Sequence, residues 1–322
     1  SARASAMDNI QVGLLHSCFT QADRQKNESI WTARYSHHVE TRGRQGAILV
    51  GTQVVEQSLD IDADFLISRF CPSDMLLQRI GRLWRHDSTP RPAEAKREAW
   101  LLHPDMQSVV ADPENAFGLS GKVYEPYILY RTLAVWEKVN NICLPNQIRD
   151  IIENTYCQRD ESDEKIRYLF YSMNKKIDQL RSSALRNSSD CFCVADDNDP
   201  PTRINTQKKC PVLLIKSFND PEHIVLADGT EIQLKYAEDS SQARWHRRSL
   251  VASHLVANIV NVSEFLAPDE IDQSWIDRLT PWIYTKGLRV AVLGEDGSLF
   301  RLDGVQMKKN IFYDSEEGYR KC

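Results

Sequence analysis

Gln78, Arg82 and Arg85 stand at i, i+4 and i+7 in a segment that opens after Pro72. On a helix that spacing places one amide and two guanidinium groups on a single face. Planar, forked donors aimed one way suit the oxygens of a phosphate chain. Met75, Leu76, Ile80, Leu83 and Trp84 supply the apolar remainder, which would lie against a sheet. Gly81 within such a helix costs roughly 1 kcal/mol relative to alanine, a cost that a close backbone approach would offset. The bland alternative is a solvated helix with two surface arginines. What precedes the segment weighs against it. The apolar run Ile48-Leu49-Val50 stops at Gly51-Thr52-Gln53, and an acidic turn over 58–64 brings in Asp60.

These groups need a scaffold. Two short apolar runs, 48–50 and 65–70, show no polar alternation and are separated by a turn and followed by a helix. That pattern predicts an α/β fold with a parallel sheet buried on both faces. Residues 10–16 read as a further strand and Ser17-Cys18-Phe19 as the turn after it. Thr20 followed by Asp23 predicts an N-cap and a helix running to about Tyr35. Residues 97–103 read as a closing strand. Ser17, Thr52 and Gln53 then fall at the carboxyl ends of strands, where parallel sheets bind ligands. The alternative for Ser17 is a plain helix-cap hydroxyl.

With these residues in view, the segment 51–64 resembles motif V of superfamily two helicases. Gln78-Arg79-Ile80-Gly81-Arg82-Leu83-Trp84-Arg85 resembles their motif VI. Leu14-Leu15-His16-Ser17-Cys18-Phe19 with Asp23-Arg24 resembles motif IV, with Cys18 where arginine is more usual. The wording Gly-Thr-Gln-Val-Val-Glu-Gln-Ser-Leu-Asp-Ile-Asp, then Cys71-Pro72, then 78–86, is similar to the type I CRISPR-associated helicase-nuclease family. The resemblance covers roughly residues 10–105. It implies a RecA-like domain that works by ATP-driven movement along single-stranded DNA. It implies that Arg82 and Arg85 act as arginine fingers and that Gln78 couples nucleotide to a facing domain. Asp60, beside Gly51 in the nucleotide set, would lie near the ribose or tie motif V to motif VI. Ser17, Thr52 and Gln53 would track the DNA backbone. ATP and Mg2+ are implied for the intact enzyme, held mainly by a first motor domain. That domain, a nuclease domain and a guide-RNA surveillance complex are the implied partners.

Composition bounds the rest. The chain has 322 residues, a net charge of −5, 42% hydrophobic and 26% charged residues, as in an ordinary soluble protein. No region is strongly basic, so nucleic acid would have to be met through a local groove. No apolar run approaches the roughly 18 residues of a membrane span, and no signal peptide is evident, so no membrane and a cytoplasmic location are expected. Eight cysteines are scattered, and reduced thiols are expected. No metal site is expected. Cys191-x-Cys193 with Cys210 lacks zinc-site spacing, and the pair His37-His38 has no carboxylate at suitable spacing. Asp60-Ile61-Asp62-Ala63-Asp64 opens like a calcium loop, but Phe65 occupies the glycine position. His86-Asp87 reads as loop.

The expected organisation is a motor domain over 1–105, a helical connector over 106–186, a linker over 187–210 and a small strand-rich accessory domain over 211–322. Helices are predicted over 127–141, 146–156, 161–186 and 247–260. Strands are predicted over 212–218, 223–227, 230–236, 282–285, 288–293 and 298–302, with Asp228-Gly229 a hairpin turn. Arg244-Trp245-His246-Arg247-Arg248 is the accessory domain's basic cluster, read as a solvated loop or a single-strand contact. The 322 residues hold no Gly-x-x-x-x-Gly-Lys-Ser/Thr loop and no strand-borne acidic metal motif. The chain alone is therefore expected to be inactive, as the second half of a larger enzyme. Two other readings stay open: half of another superfamily two helicase acting on RNA, or a non-enzymatic partner-docking module.

Overall fold

The computed structural model describes residues 10–38, 46–57, 59–91, 93–189, 209–220, 222–234, 241–271, 273–283, 287–307 and 310–321. The chain divides into two compact units. One comprises Ser1–Ser36, Glu40–Leu59 and Gln207–Cys322; the other comprises His37–Val39 and Asp60–Thr206.

In the first unit, β1 (Gln11–Leu15) pairs in parallel with β2 (Ala47–Gly51), in register from Gln11↔Ala47 to Leu15↔Gly51. The aligned register brings the residues that follow both strands to one edge. Between the strands runs α1 (Gln21–Arg34), capped as expected: the Asp23 N–H donates to Thr20 Oγ1. Trp31 of α1 is buried and lies over Gly13 of β1. Burial on both faces does not hold here. Val12, Ile48 and Val50 are exposed, because successive residues of a strand point to opposite faces and only the Trp31 side is covered within this two-stranded ladder. After β2, Gly51 meets the short helix α2 (Val54–Gln57); a Cβ there would stand 2.0 Å from Val55 Cγ2.

The rest of this unit is a six-stranded sheet. Its order is β10-β9-β5-β6-β7, with β8 (Ile259–Ser263) also on β5. The central strand β5 (Lys209–Asp220) runs antiparallel to β6 (His223–Leu226) and β8 and parallel to β9 (Arg289–Leu293). The outer strands are β7 (Glu231–Gln233) and β10 (Leu299–Phe300). Alternation along β5 divides the core. Leu213 and Ile215 pack with Val251 and Leu255 of α9 (Ser241–Ala257) and Trp275 of α10 (Gln273–Leu279). Val212 and Leu214 pack the other way, with Val260, Ile311, Tyr313 and Tyr319. The last two tyrosines belong to a hairpin of β11 (Ile311–Asp314) and β12 (Gly318–Lys321).

That hairpin grips the turn after β1. The Tyr319 N–H donates to Cys18 O at 2.8 Å. His16 Nε2 donates to Glu317 O at 3.0 Å, while its Nδ1 accepts from the Cys18 N–H. The Tyr313 hydroxyl donates to Asp23 Oδ2 at 2.5 Å and accepts from the Thr20 N–H at 3.1 Å. Burial, and then the neighbouring Asp23 carboxylate, push the Tyr313 phenol up.

The second unit opens on β3 (Leu66–Arg69), which pairs in parallel with β4 (Ala99–Leu102). Between them lies α3 (Ser73–Ile80). Helices follow: α4 (Met106–Ala111), α5 (Leu119–Val123), α6 (Pro126–Trp136), α7 (Ile148–Tyr156) and α8 (Glu164–Ser189). Leu76, Leu77 and Ile80 of α3 share a core with Val109, Leu129, Leu133 and Ile151. Ser73 accepts from Trp136 Nε1 at 2.9 Å and bonds Thr155 Oγ1 at 2.6 Å. Buried Arg131 ties α6 to the backbone oxygens of Asn154 and Cys157 and to Glu161. Among the described residues no helix is long and apolar enough to cross a membrane.

Three further expectations are corrected. The helix expected to carry Arg82 and Arg85 ends at Ile80, with Gly81 as its cap. Trp282 and Ile283, expected to open a strand, instead close α10 by donating to Leu279 O. The cluster 244–248 lies inside α9 rather than in a loop, with Trp245 exposed. Of the expected linker, 190–208 lie outside the described residues, as do Cys191 and Cys193.

Gly318 is the tightest point of the hairpin contact. Its φ is +74, and a Cβ would stand 2.7 Å from Cys18 O. Gly318→Ala is expected to lose at least about 1 kcal/mol, from the left-handed backbone and the clash together. The check is a lower thermal midpoint than wild type by circular dichroism.

Candidate functional site

The phosphate-facing candidates of the second unit are set by one irregular crossing. From Gly81 the chain continues in turns, and Leu83 bridges to Ala63 of the acidic turn. The Ala63 N–H donates to Arg82 O at 2.8 Å, and the Trp84 N–H donates to Ala63 O at 3.0 Å. Trp84 has φ 49, uncommon for a bulky residue. Its surroundings hold it there: Nε1 donates to Asp64 O at 2.9 Å, and the Arg91 guanidinium lies 5.1 Å from the ring centroid.

Asp62 anchors the crossing. Its side chain is 1% exposed. Its oxygens accept from the Arg85 N–H at 2.8 Å, from Thr89 Oγ1 at 2.5 Å and from Arg91. Arg91 also donates to Asp64 Oδ1 at 2.5 Å. Burial alone would raise the Asp62 pKa. The bonds from Arg91, Thr89 and the Arg85 N–H outweigh it, so the carboxyl sits below its ordinary range. Arg91 carried no signal in the sequence; it follows Pro90 in a stretch that reads as loop.

This frame presents the expected residues. Asp60 and Arg85 meet, with Arg85 Nε 3.2 Å from Asp60 Oδ1. Of the two roles expected for Asp60, this geometry matches the tie between the two motifs. Gln78 is exposed on the last turn of α3. Arg82 is half-buried, and the Arg85 side chain is 37% exposed. The three do not share a helical face, because only Gln78 lies on the helix. An exposed amide and an exposed guanidinium on one short segment fit a polyphosphate.

The fold also brings His37 the carboxylate that spacing did not offer. The His37 and His86 rings lie tilted against each other with centroids 4.2 Å apart, and His37, Asp60 and His86 place their ligand atoms within 4.8 Å of one another. Arg85 already lies against that carboxylate, so a cation would have to displace it.

In the first unit, Ser17 lies two residues beyond β1, and Thr52 and Gln53 follow β2 directly. The Thr52 N–H donates to Leu15 O at 3.0 Å, joining the two strand ends. The Thr52 side chain is exposed. Ser17 Oγ accepts from Lys209 Nζ at 3.1 Å, a contact that nothing in the sequence announced. Ser17, Thr52 and Gln53 thus share one edge. Gly51 belongs with them in this unit, while Asp60, Gln78, Arg82 and Arg85 belong to the second.

Known proteins share both the sequence and the fold. A family model described as CRISPR-associated nuclease/helicase Cas3, C-terminal, matches residues 1–88. The chain is 35% identical over 160 residues to the CRISPR-associated endonuclease/helicase Cas3 of Escherichia coli, covering 48% of this chain and 17% of that protein. A T. fusca Cas3 structure with ADP superposes with a TM-score of 0.65 at 23% identity, over 99% of this chain and 36% of the other. A chain of a CRISPR RNA-guided surveillance complex, in a pre-nicking state, superposes with a TM-score of 0.63 at 21% identity, over 96% and 37%. The shared fold is therefore that of Cas3 structures, and this chain spans about a third of their length or less.

The Asp62 frame yields a prediction with a sign. A folded-state pKa below the unfolded value gives stability that is present above pH about 4 and lost as pH falls. Arg91→Ala leaves a buried carboxylate without its cation, at a cost of about 3–5 kcal/mol near neutrality. In that variant the Asp62 pKa rises, and protonation relieves the penalty. Urea unfolding at pH 7 and pH 4 should show the deficit against wild type narrowing at the lower pH. An equal deficit at both would separate Arg91 from Asp62.

Proposed function

We propose that this chain, which belongs to the C-terminal part of the Cas3 helicase-nuclease family, supplies the second motor half of an ATP-driven single-stranded DNA translocase. The intact enzyme would work with a nuclease domain in CRISPR antiviral defence, in the cytoplasm. The observation that carries this reading is the ion pair between Asp60 and Arg85 inside the matched segment. It joins the acidic turn to the arginine segment and leaves Gln78 exposed beside them. Residues 1–105 are taken as the motor domain, 106–186 as the connector, 187–210 as the linker and 211–322 as the accessory domain.

Arg82 and Arg85 offset the charge that develops on the transferred phosphoryl group. Gln78 couples that site to the facing motor domain. Gly51 allows α2 to pack close behind the strand end, and Asp60 holds Arg85 in place. Bound ATP with Mg2+ supplies the hydrolysable phosphoanhydride, held mainly by the first motor domain. Ser17, Thr52 and Gln53 present hydroxyl and amide groups to backbone phosphates, which position a strand without reading its sequence. The nuclease domain and a guide-RNA surveillance complex complete the set of partners.

Two measurements test this. The 322-residue chain alone should show no DNA-stimulated ATPase, because the phosphate loop is not among its residues. Adding the first motor domain, in cis or in trans, should restore turnover. In that enzyme Arg82→Ala or Arg85→Ala should cut turnover by about a thousandfold or more, with DNA affinity nearly intact. A variant with wild-type turnover would remove its arginine from the role.

A further inference from the structure

We propose that Lys209 is a charged phosphate contact on the single-strand path, delivered to the β1–β2 edge by the central strand of the C-terminal sheet. This rests on the translocase reading above and adds a residue to it.

Three observations carry it. Lys209 Nζ donates to Ser17 Oγ at 3.1 Å, and Lys209 is exposed. Among the described residues its ammonium has no carboxylate partner, so its charge is available to an anion. Its backbone is fixed, since Lys209 pairs with Ser263 at the start of β5. The turn that it reaches is fixed as well, by the Tyr319 N–H on Cys18 O and by His16 on Glu317 O.

The chemistry of the edge follows. Thr52 and Ser17 offer neutral hydroxyls, each worth about 0.5–1.5 kcal/mol net to a phosphate oxygen. A chain with net charge −5 repels a polyanion at long range. One ammonium held beside the Ser17 hydroxyl, on the edge that Thr52 shares, answers that locally, because lysine binds phosphate as a point charge. The Lys209–Ser17 bond keeps the ammonium at the edge before a strand arrives. A phosphate oxygen entering between them can accept from both groups.

The salt dependence of binding separates this role from a structural one. A single-strand phosphate contact by a cation contributes about 0.7 to the slope of log affinity against log salt. The 322-residue chain would be titrated with a fluorescent oligothymidylate at several salt concentrations. Lys209→Gln keeps an N–H donor for Ser17 and removes the charge. It should reduce the slope by about 0.7 and weaken binding severalfold at about 0.1 M salt, while Lys209→Arg restores both. Thr52→Ala should weaken binding severalfold with the slope unchanged. A Lys209→Gln slope equal to wild type overturns the proposal, whatever its affinity; a drop in affinity alone would make Lys209 a support for the Ser17 turn. If Thr52→Ala also binds as wild type does, this edge is removed from the path altogether. Wild-type chain that does not bind the strand overturns the DNA-path reading and this inference with it.

Discussion

A carboxylate with 1% of its surface exposed has given up its water, and its oxygens must find donors within the protein. Much of the geometry in the second unit follows from how Asp62 meets that demand. Among the described residues, Arg85 N–H, Thr89 and Arg91 donate to it, three groups from one stretch after α3. The chain can bring them back only by leaving the helix at Gly81 and crossing the acidic turn. The crossing forces Trp84 to φ 49. A bulky residue held there costs about 1–3 kcal/mol. An uncompensated buried charge costs about 3–5 kcal/mol. Satisfying the buried carboxylate therefore prevails, and Trp84 accepts the strain while its indole N–H and ring find partners in Asp64 and Arg91.

The turn after β1 meets a similar constraint from another direction. Ser17, Cys18 and Phe19 lie between a strand end and a helix start, where backbone groups have no ladder to join. The β11–β12 hairpin supplies partners at and around this turn: the Tyr319 N–H for Cys18 O, Glu317 O for the His16 imidazole, and the Tyr313 hydroxyl for the Thr20 N–H. Cys18 is the small residue that lets the hairpin close over the turn, and it packs against the same cluster as Val212 and Tyr319. The result is a turn whose backbone depends on residues some three hundred positions away. In this unit the C-terminal sheet is therefore part of what shapes the candidate DNA edge.

The sequence was legible wherever the signal was local. The parallel pairing of β1 with β2 and of β3 with β4 involves apolar runs bounded by turns, and the Thr20 cap is a contact three residues long. The resemblance offered a tie between the acidic turn and the arginine segment as one of two roles for Asp60, without pointing to Arg85 as its partner. The end of α3 at Ile80 was not legible. Leu83 and Trp84 continue the apolar helical spacing, and only the pull of Asp62 on the following segment breaks it. Arg91 and Lys209 gave no signal, because each acts on a residue far along the chain. The placement of 244–248 within α9 was missed because charges and an aromatic mark an exposed surface, and a helix face can be as exposed as a loop.

The segment after α3 ends with two arginine–aspartate pairs of opposite character. Arg91 and Asp62 are both buried, at 9% and 1% side-chain exposure. Arg91 is held by Asp64 as well, and Asp62 by Thr89 and the Arg85 N–H, so that pair is a fixed part of the frame. Arg85 and Asp60 are 37% and 55% exposed. An ion pair so open to water is worth about 0–1 kcal/mol. It biases where Arg85 points but is readily exchanged for a more highly charged anion. A triphosphate, with several charges on one chain, can displace a single carboxylate. The locked pair keeps the Arg85 backbone in place through its N–H, and the loose pair keeps the guanidinium near the acidic turn. The arginine-finger role proposed for Arg85 calls for both properties, a fixed base and a tip that is readily released. One short stretch, Arg85 to Arg91, thus holds two pairs that differ in how much water each retains and in how many further bonds hold each carboxylate.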